Sequence, residues 1–402
     1  MVGAIIEVSD IPNPYPSASV RMQCVQAPII PRIGELIRDC PGTISLGQGI
    51  VHYPPPEAAR DALRDFFDDP QRHLYQHELG LPQLRARIES KLENENDIDI
   101  DRFASMVTAG GNMAFLTVML AICDAGDEVV LVRPWFFNHE MAVRSVGALP
   151  VVVASREDYQ LDLDAIRGAV GPKTRAIVTV SPNNPTGAVY TEEDLRAVNA
   201  LCEERRLFHI SDEVYEYFVF EGARHFSPAS VPGAQNHTVA IHSLSKAYGF
   251  ASWRVGYMAF PKMLLESIKK IQDTNIICVP VVSQQAAIEV LGAGRQWVQE
   301  RMQGIASVRR RALEALSRFD GQVVVPQTKG AFYFFVRIEE GGDSLRLAEF
   351  LIEEHGVAVI PGIAFGMEEG CYLRVGYGAV DESAMDEGMR RLAAGLADPR
   401  RP

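Results

Sequence analysis

The sequence predicts an α/β protein in which a three-layer, mostly parallel central sheet is joined to a smaller α+β unit. From about residue 105 onward, short runs that are apolar on both faces alternate with helical stretches. Such runs are typical of parallel strands covered by helices on both sides. The chain has 402 residues, of which 47% are apolar. This length allows about two domains with a sizeable core.

Six short apolar runs are the predicted strands of the large sheet: Glu128–Val132, Pro150–Ala154, Ala176–Val180, Phe208–Ser211, Val239–His242 and Val255–Phe260. Between the third and fourth runs we predict a helix over Thr191–Arg206, because Thr191 and Asp194 form a variant of the capping box. Residues 1–45 are predicted to form an irregular arm. Prolines at positions 12, 14, 16, 28, 31 and 41 prevent long helices there.

The carboxyl-terminal part is predicted to be smaller and of mixed structure. It begins with a long helical stretch from about residue 262 to 318, and a last helix opens at Asp381. One apolar helical face lies between Leu345 and Ile352. The predicted strands are Phe332–Ile338, Val357–Ile360 and Tyr372–Val375. We therefore predict an arm over 1–45 that contributes to the small domain, a large domain over 46–280 and a small domain over 281–402.

Composition excludes several classes of protein. The net charge of −13 lacks the basic footprint of a nucleic-acid-binding protein. The six cysteines are far apart and form no CxxC pair, which favours buried thiols in a reducing compartment and neither disulfides nor a zinc site. The first residues are too polar for a signal peptide, and no apolar run is long enough for a membrane span. We expect a cytoplasmic protein that binds neither nucleic acid nor membrane.

The most informative segment reads SLSKAYGFASWRVG and runs from Ser243 to Gly256. Lys246 directly follows a buried strand, and its small neighbours leave room for a bulky group on the amine. Ser243 and Arg254 can reach an anion close by. A lysine amine in a partly desolvated, cationic setting has a lowered pKa and is a nucleophile toward carbonyls. The motifs GxxxxGK[ST], GxGxxG, HExxH and GxSxG are absent, which weighs against a nucleotide-binding phosphate loop and a serine hydrolase.

This segment resembles the pyridoxal-phosphate attachment site of class I/II aminotransferases, which have the aspartate-aminotransferase-like fold type I. That family has a serine three residues before the lysine and an arginine eight residues after it, although Ser252 departs from the residues usual at its position. The segments SPNNPTG at 181–187 and SDEVY at 211–215 resemble its NPxG loop and DExY strand end. The matching motifs follow the family order from about residue 46 to 378.

The resemblance implies that the large domain binds pyridoxal 5'-phosphate. Lys246 would hold the cofactor and later move a proton. Asp212 would face the ring nitrogen and favour its protonated state, which makes the ring an electron sink. Asn184 and Tyr215 would contact the ring hydroxyl oxygen, and the ring of Phe136 would stack on the cofactor.

A glycine turn at 110–111 opens an apolar helix, where backbone N–H groups can approach a dianion. The family has its phosphate cup at this place, and Tyr75 would reach it across a dimer interface. The implied phosphate-binding residues are Gly110, Gly111, Asn112, Ser243, Ser245, Arg254 and Tyr75.

The segment YLRVGYG at 372–378 resembles the family's carboxylate-binding segment, so Arg374 would pair with the substrate α-carboxylate through both arms of its guanidinium. The implied substrate-binding residues are Gly49, Ile50, Asn184 and Arg374. Some aspartate-specific relatives have a lysine where this chain has Asn112. A neutral residue there, together with the aromatic cluster at 135–137, favours neutral or aromatic amino acids.

We therefore predict a homodimeric aminotransferase with shared active sites that moves an amino group from an L-amino acid to a 2-oxo acid by a ping-pong mechanism. Two alternatives remain open. The same fold supports β-elimination, decarboxylation, aminocyclopropane formation and oxidation. It also serves as a non-catalytic ligand-binding domain in some regulators, but the presence of Lys246 and the lack of a basic amino-terminal helix-turn-helix segment argue against that role.

Overall fold

The computed structural model describes residues 19–319, 321–339 and 341–402. The prolines at positions 12, 14 and 16 lie outside these ranges. The α-helices are α1 (Val20–Gln23), α2 (Ile29–Asp39), α3 (Ala58–Arg64), α4 (Pro82–Asn96), α5 (Gly111–Ile122), α6 (Phe137–Ser145), α7 (Leu163–Ala169), α8 (Glu192–Arg205), α9 (Leu244–Ala247), α10 (Leu265–Asn275), α11 (Val281–Gly292), α12 (Gly294–Leu316), α13 (Ser344–His355) and α14 (Glu382–Ala397).

The strands are β1 (Ile44–Ser45), β2 (Phe103–Thr108), β3 (Glu128–Arg133), β4 (Leu149–Ala154), β5 (Thr174–Val180), β6 (Phe208–Asp212), β7 (Thr238–Ser243), β8 (Gly256–Pro261), β9 (Val323–Val324), β10 (Tyr333–Ile338), β11 (Val357–Ala358), β12 (Ile360–Pro361) and β13 (Cys371–Gly376). Every predicted strand is present within one or two residues of its predicted bounds, except that the run Val357–Ile360 is split between β11 and β12. These two short strands pair with different partners, β1 and β13.

The large sheet has seven strands in the order β2-β8-β7-β6-β5-β3-β4. From β7 to β4, all neighbouring strands are parallel. The prediction that Val255–Phe260 is another parallel strand is wrong, because β8 is antiparallel to both β7 and β2. The segment that joins β7 to β8 contains only the four-residue helix α9 and a 3₁₀ turn at Ala251–Trp253. Neither is long enough to cross the sheet as a parallel connection requires.

Both faces of this sheet are buried, as its apolar runs predict. Along β3, Val129 and Leu131 join one core cluster while Val130 and Val132 join another on the opposite face. The first cluster packs under α5 and α10, and the second packs under α7 and α8. This alternation gives the three layers, helix on sheet on helix.

A second, four-stranded antiparallel sheet has the order β12-β13-β10-β9. Helices α13 and α14 pack together beside it, and α12 packs on α14. The strand β1 pairs in parallel with β11, so the amino-terminal segment is attached to this smaller unit. The division into domains at residues 45/46 and 280/281 stays a prediction.

The expectation that prolines prevent a long helix in the arm is wrong for α2, which has 11 residues. Pro28 is its N-cap and Pro31 lies in its first turn. The N–H groups of a first turn have no acceptor within the helix, so proline costs little there. The helical stretch predicted over 262–318 is three helices, α10 to α12. The predicted caps are present, since Thr191 accepts a hydrogen bond from the Asp194 N–H at 3.0 Å and Asp381 accepts one from the Ala384 N–H at 2.9 Å.

A buried ion cluster links α4 to the strand ends behind the large sheet; we define it as Lys91, Asn96, Glu213, Glu216 and His242. The ammonium of Lys91 lies 2.6 Å and 2.5 Å from the two carboxylate oxygens of Glu216, and Asn96 donates to the same carboxylate. Burial alone would raise the pKa of Glu216, but Lys91 and His242 hold it well below its usual range. The buried Lys91 ammonium and Glu216 carboxylate therefore stabilise each other, and removal of one would leave the other charge without its partner.

Among the described residues, no helix is long and apolar enough to cross a membrane.

Candidate active site

A cavity of about 240 Å³ lies at the carboxyl ends of β5, β6 and β7 and reaches the four-stranded sheet. This is the edge at which open α/β sheets bind ligands. Its lining consists of Ile30, Gly49, Gly111, Asn112, Phe136, Phe137, Asn138, Val180, Asn184, Asp212, Val214, Tyr215, Ser243, Ser245, Lys246, Ala251, Arg254, Tyr333 and Arg374. Twelve of the fifteen residues predicted for the site are therefore brought together around one cavity, and Gly110, Ile50 and Tyr75 are not in its lining.

Lys246 lies on α9, directly after β7, and its ammonium donates a hydrogen bond to the Gly49 carbonyl at 2.6 Å. Burial first, then the positive charges of Arg374 and Arg254, lower the pKa of Lys246 to about 8. A substantial fraction of this amine is therefore neutral near physiological pH. A neutral amine can attack a carbonyl carbon.

Asp212 is the last residue of β6 and is buried. One carboxylate oxygen lies 3.0 Å from Nε2 of His139, and the other accepts the Val214 N–H at 3.2 Å. The ring of His139 stacks on Phe115 with 4.0 Å between ring centroids. The sequence analysis missed His139, although it lies three residues after Phe136. This histidine fixes the Asp212 carboxylate in place.

Three buried polar side chains converge on the opposite side of the cavity. Arg374 donates to Asn184 Oδ1 at 2.8 Å and to the Gly47 carbonyl at 2.7 Å. The amide nitrogen of Asn184 lies 3.4 Å from the hydroxyl of Tyr215. The Nε of Arg374 is buried and finds no hydrogen-bond partner in the part of the chain that the structure describes. A guanidinium with an unsatisfied donor suits a ligand that carries a carboxylate.

One end of the cavity is rich in groups that bind anions. Gly111 begins α5, whose amino-terminal N–H groups favour an anion. Ser243 and Ser245 lie 2.9 Å apart through their hydroxyls. Gly110 has a positive φ of 82°, and a Cβ added there would come within 2.3 Å of the Arg254 guanidinium. Gly110 therefore lies behind Arg254, and its missing side chain lets that guanidinium sit against the glycine turn.

The aromatic cluster after β3 divides between the cavity and the core. Phe136 and Phe137 line the cavity. The indole of Trp135 instead packs on Gly366, where a Cβ would come within 2.3 Å of the ring. The choice of Phe136 over Trp135 is therefore compatible with the cavity lining.

Two predicted residues lie away from the cavity of this chain. Ile50, expected at the substrate entrance, does not line it, and its side chain is 40% exposed. Ile30 of α2 supplies an aliphatic wall instead. Tyr75 is 81% exposed, so any contact that it makes with a phosphate requires a second subunit.

The donor set fits pyridoxal phosphate. The helix end, the serines and Arg254 suit a phosphate dianion, and Asp212 offers a carboxylate to a protonated ring nitrogen. Tyr215 and Asn184 offer hydrogen-bond donors to a ring oxygen, and the amine of Lys246 lies between these groups. The missing side chain of Gly110 lets the Arg254 guanidinium lie against the start of α5, which adds a positive charge for an anion at this end.

Comparisons with known proteins identify the family of this chain. The family model described as aminotransferase class I and II matches residues 41–392. An aromatic aminotransferase of Arabidopsis thaliana is 33% identical over 92% of this chain and 94% of its own length. A probable aspartate/prephenate aminotransferase of Aquifex aeolicus is 37% identical over 85% of this chain and 87% of its own.

Solved structures give the same result. The aspartate aminotransferase of Thermus thermophilus with maleate superimposes with a TM-score of 0.87 at 30% identity, covering 95% of this chain and 100% of its own. An aromatic aminotransferase of Pyrococcus horikoshii gives a TM-score of 0.83 at 34% identity, covering 90% and 98%. The predicted fold and family are confirmed: the chain belongs to the class I and II aminotransferases and is a transaminase that depends on pyridoxal phosphate.

Proposed function

We propose that this aminotransferase takes the amino group of a neutral or aromatic L-amino acid and passes it to a 2-oxo acid in two half-reactions. The observation that carries the substrate preference is the charge of the cavity wall. Among the described residues, the cations of the lining are Lys246, Arg254 and Arg374. Each of these has a task in the common reaction, so none remains for the distal carboxylate of aspartate or glutamate.

Apolar groups occupy the rest of the wall. Ile30, Phe136 and Phe137 line the cavity, and Asn112 is neutral. The names of relatives support both substrate classes, since they include aromatic as well as aspartate and aspartate/prephenate aminotransferases. A side chain without charge gains from contact with these apolar groups, whereas a carboxylate would lose its hydration there without a partner.

We assign the following tasks to the residues at the cofactor. Lys246 holds the cofactor at rest, and its freed amine moves the proton at the substrate α-carbon. Asp212, oriented by His139, keeps the ring nitrogen protonated. Phe136 stacks on the ring, and Asn184 and Tyr215 donate to the ring oxygen. When bound, pyridoxal phosphate supplies the electron sink for the carbanion.

Two sets of residues anchor the reactants. The phosphate is held by Gly111, Asn112, Ser243, Ser245 and Arg254, and Gly110 leaves the space in which the Arg254 guanidinium lies. Arg374 holds the substrate α-carboxylate through two N–H groups and so fixes the α-carbon close to Lys246. The same arginine lowers the pKa of Lys246, which links carboxylate binding to the proton-transfer group.

The substrate preference is tested by following half-reactions of the purified holoenzyme spectroscopically with a panel of amino acids. We expect Phe, Tyr, Trp or Met to react faster than Asp and Glu. An Asp reaction as fast as that of every neutral or aromatic amino acid would refute the preference without touching the reaction type. Measurement of the 2-oxo acid, the new amino acid and ammonia tests the reaction type, because ammonia without a new amino acid would favour lyase or oxidase chemistry.

We also propose that the chain acts as a cytoplasmic homodimer with shared sites. The side chains of Phe67, Leu74 and Tyr75 are all exposed, and large exposed apolar side chains are of the kind that subunits cover. All six cysteines are free thiols, which suits a reducing compartment. Light scattering of the eluting holoenzyme tests the dimer, and a mass of one chain at all concentrations would refute it.

A further inference from the structure

Tyr333, the first residue of β10, is a buried side chain of the cavity whose hydroxyl lies 2.9 Å from the hydroxyl of Tyr215. The sequence analysis treated this residue as part of an ordinary strand. Tyr215 belongs to the loop after β6 of the large sheet, whereas Tyr333 belongs to the four-stranded sheet. The contact therefore joins the two sheets inside the cavity.

The contact is part of a closed ring of side chains. The guanidinium of Arg374 lies over the ring of Tyr333, 4.3 Å from its centroid, and donates to Asn184 Oδ1. Asn184 in turn donates toward the Tyr215 hydroxyl. The two residues that contact the ring oxygen in the proposed function are thus both connected to the arginine that binds the carboxylate, Asn184 directly and Tyr215 through Tyr333.

The hydroxyl of Tyr333 has a specific place in the fold. A Cβ added to Gly49 would come within 2.7 Å of this oxygen, so the glycine leaves the space that the hydroxyl fills. Among the described residues, the hydroxyl of Tyr215 is the hydrogen-bond partner of the Tyr333 hydroxyl. A phenylalanine would leave this space empty and would keep the ring beneath Arg374.

The direction of the hydrogen bond follows from the tasks of the two hydroxyls. Each phenolic oxygen has one proton to donate and lone pairs to accept with. If Tyr215 donates its proton to the cofactor's ring oxygen, as the proposed function holds, its own oxygen can only accept from Tyr333. Hydrogen bonds in such a chain polarise one another, so the outer donor strengthens the inner one.

We propose that Tyr333 is a positioning residue that donates to Tyr215, strengthens its hydrogen bond to the ring oxygen of the cofactor and thereby favours the ionised form of that oxygen. This inference rests on the proposed function of Tyr215. It adds a group from the smaller unit to the control of the cofactor's electronic state.

The test is a pH titration of the visible absorbance of the holoenzyme in Tyr333→Phe. Without the Tyr333 hydroxyl, the ring oxygen of the cofactor keeps more negative charge and holds the proton that it shares with the Lys246 nitrogen more tightly. We therefore expect the midpoint of the absorbance titration to rise by about 0.5–1 pH unit, which corresponds to the free energy of one hydrogen bond. We expect kcat to fall while KM changes little, because the phenylalanine ring still supports Arg374.

A double-mutant cycle separates this role from a structural one. Tyr215→Phe is expected to raise the midpoint further, and adding Tyr333→Phe to it is expected to change nothing more. Tyr377→Phe is the matched control, because it removes a buried hydroxyl that bonds to the Ala331 carbonyl outside the cavity. An unchanged midpoint in Tyr333→Phe, or an equal rise in the Tyr215→Phe background, would overturn the inference. If Tyr215→Phe itself leaves the midpoint unchanged, the proposed task of Tyr215 fails first.

Discussion

At the scale of the residue, Lys246 is the group on which the proposed chemistry depends. Its amine lies among Gly49, Arg374 and Arg254 inside a cavity that contains only one carboxylate, that of Asp212, among the described lining residues. Burial, and after it this imbalance of charge, lower its pKa, and the small residues around it leave space for a ligand. Both properties can be tested separately, first by removing the amine and then by changing its charge.

We expect Lys246→Ala to lose the visible absorbance of the bound cofactor while the protein remains folded, because the side chain lines a cavity and its loss removes one hydrogen bond, to the Gly49 carbonyl. Turnover should fall by about 10²–10⁴-fold from the lost proton transfer alone. Absorbance and circular dichroism spectra measure the two effects, and Lys173→Ala on the surface is the control. A visible band that survives in Lys246→Ala would mean that another lysine holds the cofactor.

The rate at which protein stripped of cofactor binds pyridoxal phosphate covalently should depend on pH. The neutral amine is the nucleophile, so we expect the rate to rise with pH and to level off above the Lys246 pKa of about 8. Arg374→Gln removes a charge that lowers this pKa, so its profile should lie at higher pH. Stopped-flow absorbance measures both profiles, with Arg337→Gln on the exposed face of β10 as the control. Identical profiles in all three proteins would contradict the influence assigned to Arg374.

How well single residues of the site could be predicted depends on where their partners lie in the chain. Lys246, Asp212 and Asn184 lie at strand ends within short motifs, so their resemblance to a family was visible from the sequence. His139 and Tyr333 carry no motif of their own, and their contacts with Asp212 and Tyr215 span 73 and 118 positions. Such contacts arise from the folding of distant segments and have no local signal.

At the scale of the element, strand and helix positions were predictable because apolar periodicity and caps are local. The direction of β8 was not, since it depends on whether the preceding segment crosses the sheet. Helix α2 was not predicted because every proline was taken to prevent a helix. The effect of a proline depends on the turn in which it lies, and a proline in the first turn is tolerated. The buried ion cluster was invisible as well, because Lys91 and Glu216 are 125 positions apart.

That cluster allows a prediction about stability. We expect Lys91→Met to lower the free energy of unfolding by about 3–5 kcal/mol, because it leaves the buried Glu216 carboxylate without its ammonium partner. Denaturant unfolding of the protein measures this loss. The control is Arg196→Ala, which removes the exposed pair with Glu192 and a contact with the ring of Phe226 and should cost about 1 kcal/mol.

The double variant Lys91→Met/Glu216→Gln removes both charges and should recover part of the stability. If Lys91→Met costs no more than Arg196→Ala, the cluster does not stabilise the fold in the way described here.

At the scale of the whole molecule, the proposed dimer makes a prediction that one subunit alone cannot satisfy. Tyr75→Ala should weaken cofactor binding by about tenfold, the loss of one hydrogen bond to a charged group. Mixing inactive Lys246→Ala with Tyr75→Ala should then create one complete site in each mixed dimer. We expect tight cofactor binding and activity to recover on mixing, as measured by fluorescence titration and a coupled assay. No recovery under conditions that exchange subunits would show that Tyr75 does not act across the interface.

The position of α2 has a consequence for a shortened form of the protein. Ile30 of this helix lines the cavity, and Arg32 forms an ion pair with Glu349 of α13. A truncation that removed the chain through Asp39 would keep Lys246, Asp212 and both cavity arginines but would open one wall to bulk water. Water entering there would screen the charges of the two arginines and hydrate the Lys246 amine. The pKa of Lys246 would then rise toward its usual value. Helix α2 therefore keeps bulk water away from the cavity and is also part of the fold.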